Sequence, residues 1–342
     1  MRDTISRDLL AWYDGAARKM PWRTSPADRA RGVRPDPYGV WLSEVMLQQT
    51  TVAAVTDYFT RFTARWPDVG ALAAADDGDV MAQWAGLGYY ARARNLLACA
   101  RQVAAMGGFP SDEAGLRALR GIGPYTAAAI AAIAYDHPAV VMDGNVERVM
   151  ARVFAVQTPL PSAKPQLYDL AASQTPQTRA GDYAQAVMDL GATICTPRSP
   201  ACGICPILHH CAARAAGIAA DLPRKLAKPE KPTRIGQVWI IRRPSDGAFL
   251  LERRAEKGLL GGMLAFPSTG WDGSDLPPPA PLDFQKLGTA RHTFTHFHLN
   301  LQVLASDAPC NPTRGAFMPL NAADLPTLMR KAFSIWGDDL PR

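Results

Sequence analysis

The chain has 342 residues, 37 Lys and Arg against 31 Asp and Glu, a formal charge of +6 and six cysteines. That length allows two or three domains and a core that needs no covalent staples, so the cysteines are not there to rescue a small fold. The excess charge sits mostly in residues 223–235, which hold 5 basic and 1 acidic side chain, so the net charge alone defines no face for an anionic partner.

No apolar run reaches transmembrane length; the nearest is the alanine-rich stretch at 127–134. The opening MRDTISRDLLAWYDG carries Asp3 and Asp8 where a secretory leader needs an apolar core. A cytoplasmic protein is expected, a compartment that disfavours disulfides. Residues 1–222 read as mostly helical. Stretches 40–62, 89–106 and 126–135 are rich in alanine, leucine and methionine and are seldom interrupted by turn pairs.

Between Tyr38 and Thr56 the one charged residue is Glu44. On a helix it shares a face with Trp41 and Gln48, where desolvation would raise its pKa into the range of a general acid. A surface carboxylate on an incompletely buried helix is the competing reading. Further on, LRALRGIGPYTAAAIAAIA (116–134) sets a Gly121-Ile122-Gly123 turn before Pro124, a residue suited to the first position of a helix. Ile122 would plug between the helices, and the outward N–H groups at the helix's positive end would suit a phosphate. A helical corner that binds nothing would have the same sequence.

Asp143 opens the helical GNVERVMARVFAV, either as an N-cap alone or as a cap that keeps one oxygen free and stays ionised. An acid in an apolar setting paired with a carboxylate in a polar one is how glycosidic bonds are broken through a cationic sugar. Spacing along the chain does not show that Glu44 and Asp143 meet. Next, Cys195, Cys202, Cys205 and Cys211 follow the pattern C-x6-C-x2-C-x5-C. Structural zinc sites usually come as two separated short pairs; one short pair with single outliers suits a loop gripping a [4Fe–4S] cube, with zinc or unligated thiols as alternatives. A pinned loop could aim Arg198 at a phosphate. Cys99 and Cys310 read as ordinary thiols.

Residues 223–235, PRKLAKPEKPTRI, read as a stiff charged linker. After it, 236–342 reads as a smaller α/β domain. A hairpin is expected around 244–247, a loop over 271–283, a strand in HTFTHFHLNLQVLAS (292–306) and a helix in LPTLMRKAFS (325–334).

Taken together and in order, PWR (21–23), SEVMLQQT (43–50), GLGYYARARNL (86–96), LRGIGPYTAAAI (119–130), MDGNVERV (142–149), the four cysteines and FTHFHL (294–299) carry a resemblance that runs from about Leu9 to Ala332. The chain resembles adenine DNA glycosylases of the MutY type, in the helix-hairpin-helix base-excision superfamily. The resemblance implies a mainly α, bilobed glycosylase domain with a [4Fe–4S] loop (1–222), the linker, and a C-terminal α/β domain of the nucleotide-pyrophosphohydrolase (Nudix-like) fold (236–342). It implies a monomer acting on double-stranded DNA with adenine opposite 8-oxoguanine or guanine, flipping the adenine out and cleaving its N-glycosidic bond.

By the same resemblance Glu44 protonates the adenine ring, Asp143 stabilises the sugar cation, and Tyr125 and Asn145 orient Asp143 and the sugar. Bifunctional relatives carry a lysine at the place of Tyr125; a phenol forms no imine, so a monofunctional enzyme is expected. Gln49 and Tyr89 would enter the base stack, while Trp22, Arg23, Gly121, Gly123 and Arg198 would contact DNA. Arg92 and Arg94 lie i,i+2, so at most one is an easy phosphate contact. Phe294, Thr295 and His296 would sense the oxidised base, with threonine where serine is common. The metal-binding REx2EE pattern of the hydrolases is missing after GLLGGMLAFPS (258–268), and the loop beyond offers only Asp272, Asp275 and Asp283. TSPADRARGVRP (24–35), several residues longer than the usual connection, would be a disordered basic loop or a solvated insertion. The rivals are a pyrimidine-lesion glycosylase with lyase activity and an iron–sulfur DNA-binding module without catalysis.

Overall fold

The computed structural model describes residues 2–226, 230–255, 258–271 and 276–338. It divides into two units, Met1–Leu226 and Ala227–Arg342. In the first unit the helices run α1 (Arg2–Ala16), α2 (Pro26–Ala30), α3 (Pro37–Leu47), α4 (Val52–Arg65), α5 (Val69–Ala73), α6 (Asp77–Trp84), α7 (Ala91–Met106), α8 (Glu113–Arg117), α9 (Pro124–Tyr135), α10 (Gly144–Val153), α11 (Lys164–Gln174), α12 (Ala180–Thr193) and α13 (Ala212–Ala215). Among the described residues no helix is long and apolar enough to cross a membrane.

Two cores give the unit its two lobes. One gathers apolar side chains from α3 to α9; the other joins α1 to α10, α11 and α12. The pivot is α9, buried without a break from Thr126 to Ala134, because a helix apolar on every face can only be core. Its alanines allow close packing: at Gly181 of α12 a Cβ would lie 2.4 Å from the carbonyl oxygen of Ala132. As the sequence suggests, Ile122 is buried, Pro124 takes the first turn of α9, and Gly121 turns the chain at φ +78.

The helical stretch 40–62 holds two helices: α3 stops at Leu47, Gln49 adopts φ 60, and Thr51 caps α4 by accepting from Ala54 N–H at 3.3 Å. The insertion at 24–35 contains the short α2, and its Arg29 is neither disordered nor solvated. Arg29 reaches the Ile133 carbonyl at 3.0 Å, Asp182 at 3.1 Å and Asp136 at 3.3 Å. The reason is the carboxylate of Asp182, whose side chain is 3% exposed and needs a cation beside it.

The second unit is a mixed sheet with one long helix described, α14 (Thr327–Asp338). Its strands are β1 (Thr233–Arg242), β2 (Phe249–Arg253), β3 (Leu264–Ala265), β4 (Gln285–Thr293), β5 (His298–Asp307) and β6 (Ala316–Met318), in the order β3-β2-β1-β5-β4 with β6 on β2. β1 and β5 are parallel; the expected hairpin joins β1 to β2. The segment 292–306 is a second hairpin, not a single strand. It reverses at 294–297, where Phe294 N–H donates to the Phe297 carbonyl at 2.9 Å and the two rings stack at 5.0 Å. Both ends of the basic stretch are also taken up. Leu160 exchanges backbone bonds with Arg224 and Leu226, and β1 already begins at Thr233. Asp272 and Asp275 lie outside the described residues.

Candidate active site

Glu44 lies on α3, in the first lobe, and Asp143 caps α10, in the second; both line one cavity of 320 Å³, within the ~300–1,000 Å³ usual for small-molecule sites. α3 forms here because Asp36 accepts from the N–H groups of Tyr38 and Gly39 and Pro37 takes the first turn. The helix is buried on every face from Tyr38 to Met46, and Glu44 goes in with it, to 8% exposure. Burial pushes the Glu44 carboxyl up to about 7; the hydrogen bond from Tyr125 opposes this, the charge of Asp143 adds to it, and Arg23 opposes it.

Asp143 is a thoroughly bonded cap. Its Oδ1 accepts from Asn145 N–H at 2.9 Å and Val146 N–H at 2.7 Å, while Oδ2 accepts from the Asn145 side-chain amide at 2.7 Å. The expectation of one oxygen free is thus replaced by two occupied ones, although a carboxylate oxygen keeps a further lone pair. Asn145 is fixed in turn by Arg148 Nη2, which donates to its Oδ1 at 2.9 Å. Tyr125, the second residue of α9, lines the same cavity, with its hydroxyl 3.7 Å from the Met188 sulfur. Glu44, Asp143, Tyr125 and Asn145 are therefore neighbours.

Arg23, expected to contact DNA, lies in the wall of this cavity, bonded at 2.6 Å to Asp189, whose side chain is 1% exposed. Trp22 also lines the cavity and meets Phe59 edge-on at 5.4 Å. Sequence reasoning missed Arg18, Gln185, Met188 and Asp189, which also line it. A signal was present: Asp182, Gln185 and Asp189 form a polar stripe at spacings of three and four along the otherwise apolar α12.

The nominated contact residues outside the cavity are exposed. Gly121 and Gly123 are open to solvent, and Gly123 caps α9 with no side chain across its N-terminus. Gln49 and Tyr89 are exposed, both in the left-handed region, at φ 60 and φ 48. Arg198 is exposed on the cysteine loop. In the second unit Thr295 and His296 form the exposed tip of the β4–β5 turn, while Phe294 is half-buried against Trp271 and His292. Lys231, from the basic stretch, donates to the Phe294 carbonyl at 3.0 Å.

Cys195, Cys202, Cys205 and Cys211 line one apolar cavity with Val149, Leu190 and Ile207. Among the described residues no three such side chains are placed to hold a single metal ion. Four thiols around one apolar cavity are the donor set of a [4Fe–4S] cube. Two arginines of α10 that the sequence did not single out brace this loop. Arg148 Nε donates to the Cys195 carbonyl at 2.7 Å, and Arg152, 1% exposed, donates to the Cys195 sulfur at 3.2 Å and to the carbonyls of Thr196, Pro197 and Leu222. Cys195, Cys202, Cys205 and Cys211 would hold the cluster, which would anchor the loop.

A two-lobed helical fold, a glycine turn into a buried helix, a buried acid and a capped carboxylate in one cavity, and four cysteines around another define a base-excision DNA glycosylase. The comparisons agree: residues 42–169 match the HhH-GPD superfamily of base excision DNA repair proteins, 195–211 the iron-sulfur binding domain of endonuclease III, and 237–334 the NUDIX domain. A thermostable thymine-DNA glycosylase superposes with a TM-score of 0.54 at 25% identity, over 63% of this chain and 97% of that one. Adenine DNA glycosylase of Mus musculus is 34% identical, covering 97% of this chain and 77% of its own length, and that of Mycolicibacterium smegmatis is 42% identical, covering 62% and 70%. The chain belongs to the adenine DNA glycosylases, and its cofactor is a [4Fe–4S] cluster.

Proposed function

We propose that the protein, as a monomer, excises adenine mispaired with 8-oxoguanine or guanine in duplex DNA and leaves an abasic site with the strand intact. The observation that carries this is the buried Glu44, held up to about 7, sharing a cavity with the capped Asp143. Adenine leaves poorly as an anion. Glu44 protonates its N7, the bond from N9 to the sugar breaks, and neutral adenine departs from an oxocarbenium-like sugar. The Asp143 carboxylate stabilises that cation; water then adds at the sugar carbon and returns its proton to Glu44. Tyr125 lines the same cavity as Glu44 and offers no amine, so no Schiff base forms and the strand is not cut.

Gln49 and Tyr89 fill the stack that the adenine vacates, and the amides at Gly121 to Gly123 hold a backbone phosphate. In the second unit Phe294, Thr295 and His296 read the partner base. Lacking the REx2EE carboxylates, this unit reads without hydrolysing nucleotides.

A duplex with adenine opposite 8-oxoguanine tests the reading. Free adenine and an alkali-labile but unbroken strand are expected; direct nicking would indicate a lyase, and binding without release a recognition module. Glu44→Gln keeps the shape and removes the proton, so base release should fall by about 10² or more with binding to the same duplex retained. Release at the wild-type rate by that variant would remove Glu44 from the role of acid.

A further inference from the structure

One arginine ties together the two segments that carry Gln49 and Tyr89. Arg92, in the first turn of α7, sends Nη1 to the carbonyls of Val45 at 3.0 Å, Met46 at 3.1 Å and Gln48 at 2.6 Å. Its Nη2 donates to the carbonyls of Leu87 at 3.0 Å and Gly88 at 3.4 Å and to Thr50 Oγ1 at 3.5 Å. The guanidinium is half-buried, stands 5.6 Å from the Tyr89 ring centroid and 5.3 Å from that of Trp84, and bonds to no carboxylate among the described residues. Among the described residues Nε is its one nitrogen with no partner.

Which carbonyls are held matters. Gln48 and Gly88 immediately precede Gln49 and Tyr89, so Arg92 fixes the peptide plane on which each φ pivots. A non-glycine residue in the left-handed region is strained and persists only where its surroundings over-determine it. Here they do so at both places at once, because a planar fork can span carbonyls on two segments. Arg92 also completes the C-terminal end of α3, the helix that carries Glu44, where a cation offsets unsatisfied carbonyls.

We infer that Arg92 is the positioning residue that sets Gln49 and Tyr89 as one unit, so that entry into the base stack and presentation of adenine to Glu44 are coupled. The inference rests on the function proposed above. Arg92 touches neither base nor sugar in this account; it acts through the two residues.

A double-mutant cycle on the full-length holoprotein tests it. Single-turnover adenine release from a duplex with adenine opposite 8-oxoguanine is measured for Arg92→Met alone and in a Gln49→Ala, Tyr89→Ala background, each at a temperature where melting shows the variant folded. Alone, Arg92→Met should slow release by about 30-fold; in the second background, by less than about 3-fold, because the groups it sets are gone. Arg92→Lys, a point charge without the fork, should recover less than half of the lost rate and provides the readout if Arg92→Met does not fold. Arg101→Met is the matched control, since Arg101 lies on the same helix and holds the carbonyls of Ala73 and Ala75. It should lower the melting temperature and leave the rate alone. Equal slowing by Arg92→Met in both backgrounds, or full rescue by lysine, would overturn the coupling. A wild-type protein that releases no adenine would instead sink the functional reading, and the role of Arg92 with it.

Discussion

Glu44 places chemistry and stability in opposition. Its pKa in the fold, about 7, lies above its ordinary value of 4.5, so the folded chain binds this proton more tightly than the unfolded one. The stabilisation is complete below about pH 4.5 and is lost as pH rises through about 7, where a shift of this size corresponds to about 3 kcal/mol. Glu44→Gln carries no charge to bury. It should melt higher than the wild type at pH 8 and within a degree or two of it at pH 4. Catalysis follows the same proton: single-turnover release should fall about tenfold per pH unit above about 7. A rate that rises from pH 7 to pH 9 would exclude an acid at this position.

Among the elements, the contact of α10 with α12 sets the second carboxylate. Gly191 faces Asn145 so closely that a Cβ there would lie 2.6 Å from the Asn145 Cβ, and the Gly191 carbonyl accepts from Arg148 Nη2 at 2.7 Å. Gly191→Ala must therefore shift the start of α10, and with it Asp143. We expect a loss of about 1–3 kcal/mol in stability and at least a tenfold slower base release, with affinity for undamaged duplex unchanged. Calorimetry and single-turnover kinetics on the same preparation check both; a wild-type rate would show that Asp143 tolerates the shift. α10 also bears Arg148 and Arg152, so one helix orders a catalytic cap at its first turn and the cysteine loop along its length.

For the molecule as a whole, the two units have separate cores, and the apolar residues of the second are gathered around β1, β5 and α14. A chain ending at Leu226 should therefore fold. If residues beyond it read the partner base, that chain should still release adenine while its preference for 8-oxoguanine over guanine drops several-fold. An unchanged ratio of single-turnover rates would take the reading role away from Thr295 and His296. Much of this organisation was legible because local chemistry is strong: glycine before proline marked the start of α9, a lone carboxyl marked α3, and the density of cysteines marked the cluster. Less legible were the partners of charges and the breaks within elements. Arg29 and Arg23 are engaged by buried carboxylates, and 292–306, expected as a strand, is a hairpin.

The amino-acid sequence by itself determined the two-unit division, the helical character of the first, the thiol loop and the identities of Glu44 and Asp143 as carboxyl groups of interest, since each follows from residue type, spacing and periodicity over a few turns. Only the tertiary structure decided that those carboxyls share a cavity, that Arg23 is consumed by Asp189, and that Arg92 closes on carbonyls from two segments. The physical reason is that a charge is assigned its partner by burial, and burial is a property of elements packed together, which spacing along the chain does not contain.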